Sequence, residues 1–221
     1  LWASTAFRFT TTYRKNDKRF FTKLINMIPR LICLGVESIL KIICEKIIIK
    51  KIKIVNKNNE YNGKIDELYI KAESIIFHKI NISNIKIKLK DLILRFAFNK
   101  KNFLIDNCNA FIHLRLTKDN INKTLFNIKW NKLKNSIESF ILYNFQSIDI
   151  KNKSIYFISS ETFSKNDISY ILQYDKNTIY LVNNTNQKKL RILNDENIII
   201  NNLFFSQNYI EFELITKIIF N

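Results

Sequence analysis

The order of the elements predicted from this sequence places the chain in the α+β class. An apolar segment with helical spacing comes first, and a group of segments with alternating apolar and polar residues follows it. A second helical segment then precedes another alternating group. Strands that succeed one another without an intervening helix pair antiparallel, because parallel neighbours need a long crossover connection. With one proline and two glycines in 221 residues, these strands are expected to be long and little interrupted.

The first helix is predicted to begin near Pro29, because proline fits the first turn of a helix, and to end near Lys46. Its polar residues form one narrow stripe, and apolar residues cover the remaining surface. Such a helix is either enclosed by a sheet or lies in a membrane interface, and its charges leave it short of the ~20 apolar residues of a membrane span. The stripe contains Arg30, Glu37, Lys41 and Glu45, and the apolar surface contains Leu31, Leu34, Ile39, Leu40, Ile42 and Ile43.

The segment ISNIKIKLKDLIL, residues 82–94, has the clearest alternation in the first group of strands. Strand side chains point alternately to two faces of a sheet. Other strands of this group are expected in IIIKKIKIV, IDELYIKA and NAFIHLRL, with a turn at Asn62 and Gly63 before the second of them. The predicted apolar faces contain Ile85, Ile87 and Leu89, and Ile112, Leu114 and Leu116; the opposite faces contain Lys86, Lys88 and Lys90, and Phe111, His113 and Arg115.

The second helix is predicted from Thr117, whose hydroxyl can cap it while Leu116 contacts Ile121. Its apolar residues recur at spacings of three and four: Phe126, Trp130, Leu133, Ile137 and Ile141. The later strands are expected in SIDIK, SIYFIS, ISYILQY, TIYLV, NIIINNLFF and YIEFELITKI. In the last of these, the apolar residues Ile210, Phe212 and Leu214 alternate with Glu211 and Glu213.

The chain carries a formal net charge of +17, from 36 Lys and Arg against 19 Asp and Glu. A charge of this size attracts anionic partners, either nucleic acid or a phospholipid surface. Part of it reflects a composition that is rich in Ile, Lys and Asn throughout. Arginine contacts phosphate and guanine bidentately, whereas lysine acts as a point charge. The excess of lysine over arginine therefore favours an anionic membrane surface.

Residues 1–28 are predicted to form a basic N-terminal extension and residues 29–221 a single domain, since this length suffices for one sizeable core. The first 23 residues contain one acid, Asp17, and are interpreted as a basic arm in preference to an organelle transit segment. The cysteines Cys33, Cys44 and Cys108 form no C-x-x-C pair and are expected to be buried, reduced thiols. These features favour a cytoplasmic protein associated peripherally with a membrane.

The sequence contains no signature of an enzyme. Two glycines are too few for a glycine-rich phosphate loop. Asp66 and Glu67 are adjacent, so they point to opposite faces of a strand and cannot act as a catalytic pair. His78 and His113 have no partner at metal-ligand spacing. We therefore expect neither catalysis nor a bound metal or cofactor.

A basic nucleic-acid-binding module is the alternative function. Aromatic residues lie among basic residues in the first group of strands, as they do in a base-stacking platform. However, no nucleic-acid recognition motif is present, and aromatic residues at strand spacing are typical of a protein core. The aromatic residues concerned are Tyr69, Phe77, Phe96, Phe98 and Phe103.

Three segments resemble the LmeA-like phospholipid-binding family: GKIDELYIKAESIIFHKINISNIKIKLKDL, AFIHLRLTKDNINKTL and LRILNDENIIINNLFFSQNYIEFELITKI. Members of this family have a strand after a glycine, and a short connection joins it to another strand with alternating apolar and polar residues. A later strand leads into a helix that begins Ser/Thr-x-x-Asp-Leu-Asn-x-x-Leu. Asn120 stands where the family has Asp, and the final hairpin lacks the usual glycine. The resemblance covers residues 29–220, and the helix motif corresponds to Thr117, Asn120, Ile121, Asn122 and Leu125.

The resemblance implies a fold similar to the tubular lipid-binding proteins, in which a long, curved antiparallel sheet wraps around a helix and leaves an apolar groove for lipid. Burying acyl chains is worth about 0.8 kcal/mol per methylene, and outward lysines attract anionic headgroups. We expect non-enzymatic phospholipid binding or transfer, with a membrane-associated scaffold without lipid cargo as a further hypothesis. The expected lining is Ile85, Ile87, Leu89, Ile112, Leu114, Leu116, Phe126, Trp130, Ile210, Phe212 and Leu214, and the expected headgroup contacts are Lys86, Lys88 and Lys90.

Overall fold

The computed structural model describes residues 15–56, 64–97, 102–105, 108–159 and 168–218. In these residues the order of helices and strands confirms the α+β class and the antiparallel pairing. The helices are α1 (Lys15–Ile43), α2 (Lys118–Leu125) and α3 (Asn131–Ile141), with a 3-10 turn (Ile128–Trp130) between α2 and α3. The strands before α2 are β1 (Lys46–Val55), β2 (Lys64–Phe77), β3 (Ile80–Ala97), β4 (Asn102–Ile105) and β5 (Cys108–Thr117). Those after α3 are β6 (Ser147–Lys151), β7 (Ser154–Ile158), β8 (Tyr170–Asp175), β9 (Thr178–Asn183), β10 (Lys189–Asn194), β11 (Ile198–Phe205) and β12 (Tyr209–Ile218).

The strands divide between two open antiparallel sheets. The larger sheet has the order β1-β2-β3-β5-β12-β11, with β4 paired to the end of β3. The smaller sheet has the order β10-β9-β8-β7-β6. The last two strands of the chain therefore return to the larger sheet, where β12 pairs with β5 over ten residues. The expected turn at Asn62 and Gly63 lies outside the described residues.

Two residues with left-handed backbone let the long β2-β3 hairpin keep its apolar side chains on one face. They are Ser74, at φ 52°, and Asp91, at φ 56°. At each of these points the alternation of both strands shifts by one residue, while their pairing register stays the same. The buried or half-buried pairs across the hairpin are accordingly Ile65 with Leu92, Leu68 with Leu89, Ile70 with Ile87, Ala72 with Ile85, and Ile75 with Ile82.

The first helix differs from the prediction at its N-terminus. α1 begins at Lys15, so Pro29 lies inside the helix and the predicted start near Pro29 is wrong. Proline has no N–H group, so the helix lacks one backbone hydrogen bond at this point but continues. α1 also crosses the boundary predicted between residues 28 and 29. The division into an extension and one domain stays a prediction.

The second predicted helix is interrupted. Thr117 caps α2 as expected, because its hydroxyl accepts from the Asn120 backbone N–H while the Asn120 side chain accepts from the Thr117 N–H. α2 then ends at Leu125, and Asn127 begins the 3-10 turn by accepting from the Lys129 N–H. α3 ends where Leu142 adopts a left-handed conformation, at φ 69°. Apolar spacing alone did not indicate this break.

Removing the α2 cap should destabilise the protein measurably. We expect Thr117→Ala to lower the free energy of unfolding by about 1 kcal/mol, because the Asn120 N–H loses its acceptor. Thr117→Ser keeps the hydroxyl and should stay within a few tenths of a kcal/mol of the parent. Urea unfolding of the three proteins measures the difference. Equal losses in both variants would show that the methyl group, and not the cap, stabilises this end of α2.

One face of the larger sheet, here called the inner face, is apolar from β1 to β11. The cross-strand register brings the apolar residues of β3 opposite those of β5, and those of β5 opposite those of β12. α1 packs on this face near β1 and β2, and the smaller sheet packs on it near β11 and β12 together with α2 and α3. Among the described residues the buried side chains form three separate clusters rather than one core.

Candidate functional site

The strand residues predicted to line a lipid groove lie together on the inner face. Ile85 pairs with Leu114 and Ile87 with Ile112 across β3 and β5. On the other side of β5, Leu116 pairs with Ile210, Leu114 with Phe212 and Ile112 with Leu214. The nine predicted strand positions thus form one apolar patch that crosses three strands, because each strand contributes every second residue to the same face.

Six of these nine residues are only half-buried, and together we call them the seam. The seam lies where the layers that cover the inner face meet. Ile87 and Ile112 pack with the cluster under α1, whereas Leu214 packs with the cluster under the smaller sheet. Leu114 touches that second cluster and also the cluster around Cys44. The seam consists of Ile85, Ile87, Ile112, Leu114, Leu116 and Leu214.

The other three predicted strand residues are packed in the protein core. Ile210 is 1% exposed, and Phe212 and Leu89 are below a tenth. Leu89 lies in the cluster under α1, and Ile210 and Phe212 lie in the cluster under the smaller sheet. Their surroundings are protein side chains, so they support the seam from the two sides instead of presenting a surface to a ligand.

The two predicted helix residues lie away from the strand residues. Phe126 follows α2, is 42% exposed, and its ring meets that of Phe145 edge-on at 5.6 Å between centroids. Trp130 ends the 3-10 turn, and its indole N–H donates to the carbonyl of His78 at 3.3 Å. His78 lies in the turn of the β2-β3 hairpin, so Trp130 belongs to that end of the molecule. Both positions follow from the break between α2 and α3.

The predicted headgroup residues lie on the opposite, outer face of the larger sheet. Lys86, Lys88 and Lys90, here called the lysine row, alternate with the seam residues of β3. Lys88 forms an ion pair with Glu67 at 2.8 Å, and Lys90 lies over the ring of Phe111 at 4.7 Å from its centroid. Lys86 is exposed between Lys71 and His113 of the neighbouring strands.

Carboxylates on β2, which neighbours β3, and on β12, which lies beyond β5, offset the charge of the lysine row. Glu67 and Glu73 lie on β2, and Glu211 and Glu213 lie on β12. Glu211 accepts from Arg115 at 2.6 Å, and its second oxygen lies 3.4 Å from His113. Partial burial opposes ionisation of Glu211, but the Arg115 hydrogen bond and charge outweigh it and hold the pKa of this carboxyl below its usual value.

A shallow depression of about 340 Å³ lies beside the lysine row. Its polar lining comes from Lys86, Lys88, His113, Asn201 and Glu213. The apolar lining comes from Phe111, Ile112, Leu214 and Ile215. With cations and a carboxylate in the same lining, the depression has no single sign of charge.

The aromatic residues of the nucleic-acid alternative do not share one surface in the part of the chain that the structure describes. Tyr69 pairs with Lys88 on the outer face, whereas Phe77 lies beside the hairpin turn, edge-on to the ring of His78. Phe96 and Phe103 are paired positions of β3 and β4, and Phe98 lies outside the described residues.

Within the described ranges, no group of His, Cys, Asp and Glu is arranged to hold a metal ion. The cysteines Cys33, Cys44 and Cys108 are all free thiols, and burial raises the pKa of each. No helix in the described part of the chain combines the length and the apolar character that a membrane span requires.

Both sides of the seam include residues that were not among the predicted lining residues. On the α1 side, Ile32, Val36 and Leu40 pack on the inner face. On the other side, Leu203 and Phe205 of β11 pack against the cluster under the smaller sheet. Alternation in NIIINNLFF could not indicate these two residues, because β11 contains an irregularity between Ile200 and Asn202 that shifts its phase.

Comparison of the chain with protein-family models, with curated proteins and with solved structures found no match. The resemblance to the LmeA-like phospholipid-binding family stays a prediction.

Proposed function

We propose that this chain is a non-enzymatic phospholipid-binding or lipid-transfer protein that acts at a membrane surface. The observation that carries the proposal is the seam, a set of half-buried aliphatic side chains between separately packed layers on one apolar sheet face. The resemblance of the sequence to the LmeA-like family agrees with this function.

Acyl chains fit the chemistry of the seam. Its six side chains are all Ile or Leu, and they offer an acyl chain no hydrogen-bonding group. Each methylene that leaves water for such a surface contributes about 0.8 kcal/mol. In a solid core these residues would be fully packed, whereas here they retain exposed surface that a lipid could cover. The polar headgroup would remain at the edge of the seam in contact with water.

The decisive test is the lipid content of the protein itself. The protein is purified without detergent and extracted with organic solvent, and the extract is analysed by mass spectrometry. Stoichiometric phospholipid supports the proposal. Protein that is folded but carries no lipid, and that takes none from vesicles, would favour the membrane scaffold without cargo.

The net charge of +17 leads us to a separate prediction about how salt affects membrane association. Binding to vesicles that contain phosphatidylserine should weaken steadily as salt is added, because exposed charges are screened beyond a Debye length of about 8 Å at physiological ionic strength. Co-sedimentation with the vesicles measures the effect, and vesicles of phosphatidylcholine alone are the control. Equal binding at low and high salt would show that the positive charge reflects composition and does not direct the protein to anionic lipid.

A further inference from the structure

The outer face of the larger sheet carries a compact group of lysines on its first three strands. The cross-strand register places Lys51 of β1 opposite Lys71 of β2, and Lys71 opposite Lys86 of β3. In the adjacent row, a lysine of β1 and a lysine of β3 lie on either side of Tyr69 of β2. Lysine therefore occupies all but one of these neighbouring outer-face positions. We call these lysines the basic patch: Lys51, Lys53, Lys71, Lys86 and Lys88.

The stability of the fold does not account for the basic patch. Like charges that lie directly opposite each other on neighbouring strands destabilise a sheet. Lysines on an edge strand discourage pairing with other sheets, which explains those of β1. Lys71 and Lys86, however, lie on β2 and β3, and each of these strands is paired on both sides. The sheet thus holds positive charges together on strands that have no free edge to protect.

The nearby carboxylates neutralise only part of the basic patch. Glu67 contacts Lys88 at 2.8 Å. Glu73 lies 3.8 Å from Lys71, but it also pairs with Lys50 at 3.3 Å. Among the residues that the structure describes, the other three lysines of the patch have no carboxylate within ion-pair distance, and all three are exposed. Five lysines against two carboxylates leave a net charge of +3, so the partner of this surface is expected to be anionic.

We infer that the basic patch is the surface by which the chain docks on an anionic bilayer. The described elements that cover the larger sheet, α1 and the smaller sheet with α2 and α3, lie on its inner face. The patch therefore presents its ammonium groups in one open layer, where they attract the phosphate and carboxylate groups of anionic lipids. Tyr69, in the middle of the patch, belongs to a residue type that is enriched at the level of lipid headgroups.

Two other occupants fit the basic patch less well. A second copy of the chain would bring like charges together. Single-stranded nucleic acid needs several aromatic rings on which successive bases stack. Tyr69 offers one ring, but the ring of Phe111, which lies opposite Lys88, is covered by Lys90 at 4.7 Å from its centroid. The described part of this surface therefore lacks a stacking platform.

The inference rests on the proposed function only in placing the protein at a membrane. The basic patch and the seam lie on opposite faces of the same sheet. Substitutions in the patch should therefore weaken vesicle binding and leave the co-purifying lipid unchanged. A protein that carries no lipid contradicts the proposed function, whereas the docking surface is judged by vesicle binding alone.

The first test compares two triple variants of the full-length protein that lose the same charge. One replaces the directly opposed lysines of the basic patch: Lys51→Gln, Lys71→Gln and Lys86→Gln. The control replaces three exposed lysines of α3 and of turns in the smaller sheet: Lys132→Gln, Lys153→Gln and Lys188→Gln. Co-sedimentation measures binding to phosphatidylcholine vesicles that contain phosphatidylserine. The patch variant should bind roughly a hundredfold more weakly, and the control should stay within about threefold of the parent, because screening weakens distant charges.

The second test uses Lys86→Glu, which distinguishes a membrane contact from a structural role. The new carboxylate faces Lys71 across the strands, so a like-charge contact becomes an opposite-charge contact that stabilises the sheet. We expect a melting temperature at or above that of the parent, together with vesicle binding that is at least about tenfold weaker. A lower melting temperature would mean that Lys86 serves the fold, which contradicts the inference.

Three further results would overturn the inference. Parental vesicle binding by the folded patch variant would exclude the basic patch as the contact. The same loss of binding in both triple variants would show that net charge, and not this surface, directs the protein to the membrane. Binding of single-stranded RNA that the patch variant loses, while its vesicle binding is retained, would assign the surface to nucleic acid.

Discussion

Ile87→Trp should purify folded but nearly free of lipid. Ile87 lies in the middle of the seam, half-buried on β3 and paired with Ile112. If acyl chains occupy part of the space beside it, the larger indole displaces lipid without displacing protein side chains. We therefore expect the phospholipid recovered per mole of protein to fall sharply. The melting temperature of the delipidated variant should stay close to that of the delipidated parent.

Ile70→Trp is the matched control for this experiment. Ile70 lies directly opposite Ile87 across the β2-β3 hairpin, on the same face, but it is 4% exposed and packed under α1. The same enlargement there is overpacking of a filled core, which typically costs about 1–3 kcal/mol. A loss of stability of this size in Ile87→Trp as well, measured without lipid, would show that the seam is ordinary core. The lipid-binding proposal would then lose its main support.

The lining strands were predictable because one face of each is buried against the protein. Period-two alternation therefore survives in residues 85–89 of β3 and throughout β5, and these segments were predicted on the correct face. β10 was missed, since an irregularity between Arg191 and Leu193 disturbs the alternation that would have revealed it. β4 was missed because four residues are too few to show a period.

The division of the strands between two sheets was not predictable in the same way. Alternation shows which face of a strand is buried, but it does not identify the neighbour of that strand. The seam depends on this information, because Leu89 and Ile87 have the same pattern in the sequence and differ in how tightly they are covered. Long-range packing, and not local pattern, therefore decides which predicted residues remain accessible to a ligand.

At the break after α2, a local interaction and not long-range packing makes the structure differ from the prediction. Phe126, Trp130 and Leu133 continue the spacing of an amphipathic helix, so periodicity predicts one uninterrupted element. The signal that competes with it is local, because the Asn127 side chain accepts from the Lys129 N–H and starts a new turn. Asparagine favours such caps and turns, so Asn127 is a signal in the sequence from which this break can be predicted.

Tyr170→Ala should be among the most destabilising substitutions in the chain. Tyr170 is 1% exposed in the cluster between the smaller sheet and α3, with its ring 5.2 Å from that of Phe157 and 6.0 Å from that of Phe140. Truncating a large buried aromatic side chain leaves a cavity and costs about 3–5 kcal/mol. Urea unfolding measures the loss. Tyr170→Phe keeps the ring and should cost far less near neutral pH.

The same residue should make the protein sensitive to alkali. Burial, reinforced by the nearby Tyr143 and only partly opposed by a hydrogen bond with Asn183, raises the pKa of Tyr170 from 10.0 to about 12. The folded state therefore holds the phenol proton at a pH where the unfolded chain has lost it. The stabilisation is complete below pH 10.0 and is lost as the pH rises to about 12, which amounts to about 3 kcal/mol.

Comparison with Tyr170→Phe isolates this contribution from the titration of the many lysines, which both proteins share. The free energy of unfolding of the parent should fall more steeply than that of the variant between pH 10.0 and 12. The two curves should therefore converge or cross in this range, although the parent is the more stable protein near neutral pH. Parallel curves would mean that the Tyr170 hydroxyl reaches water in the folded protein. The cluster that supports the Leu214 side of the seam would then be looser than its burial indicates.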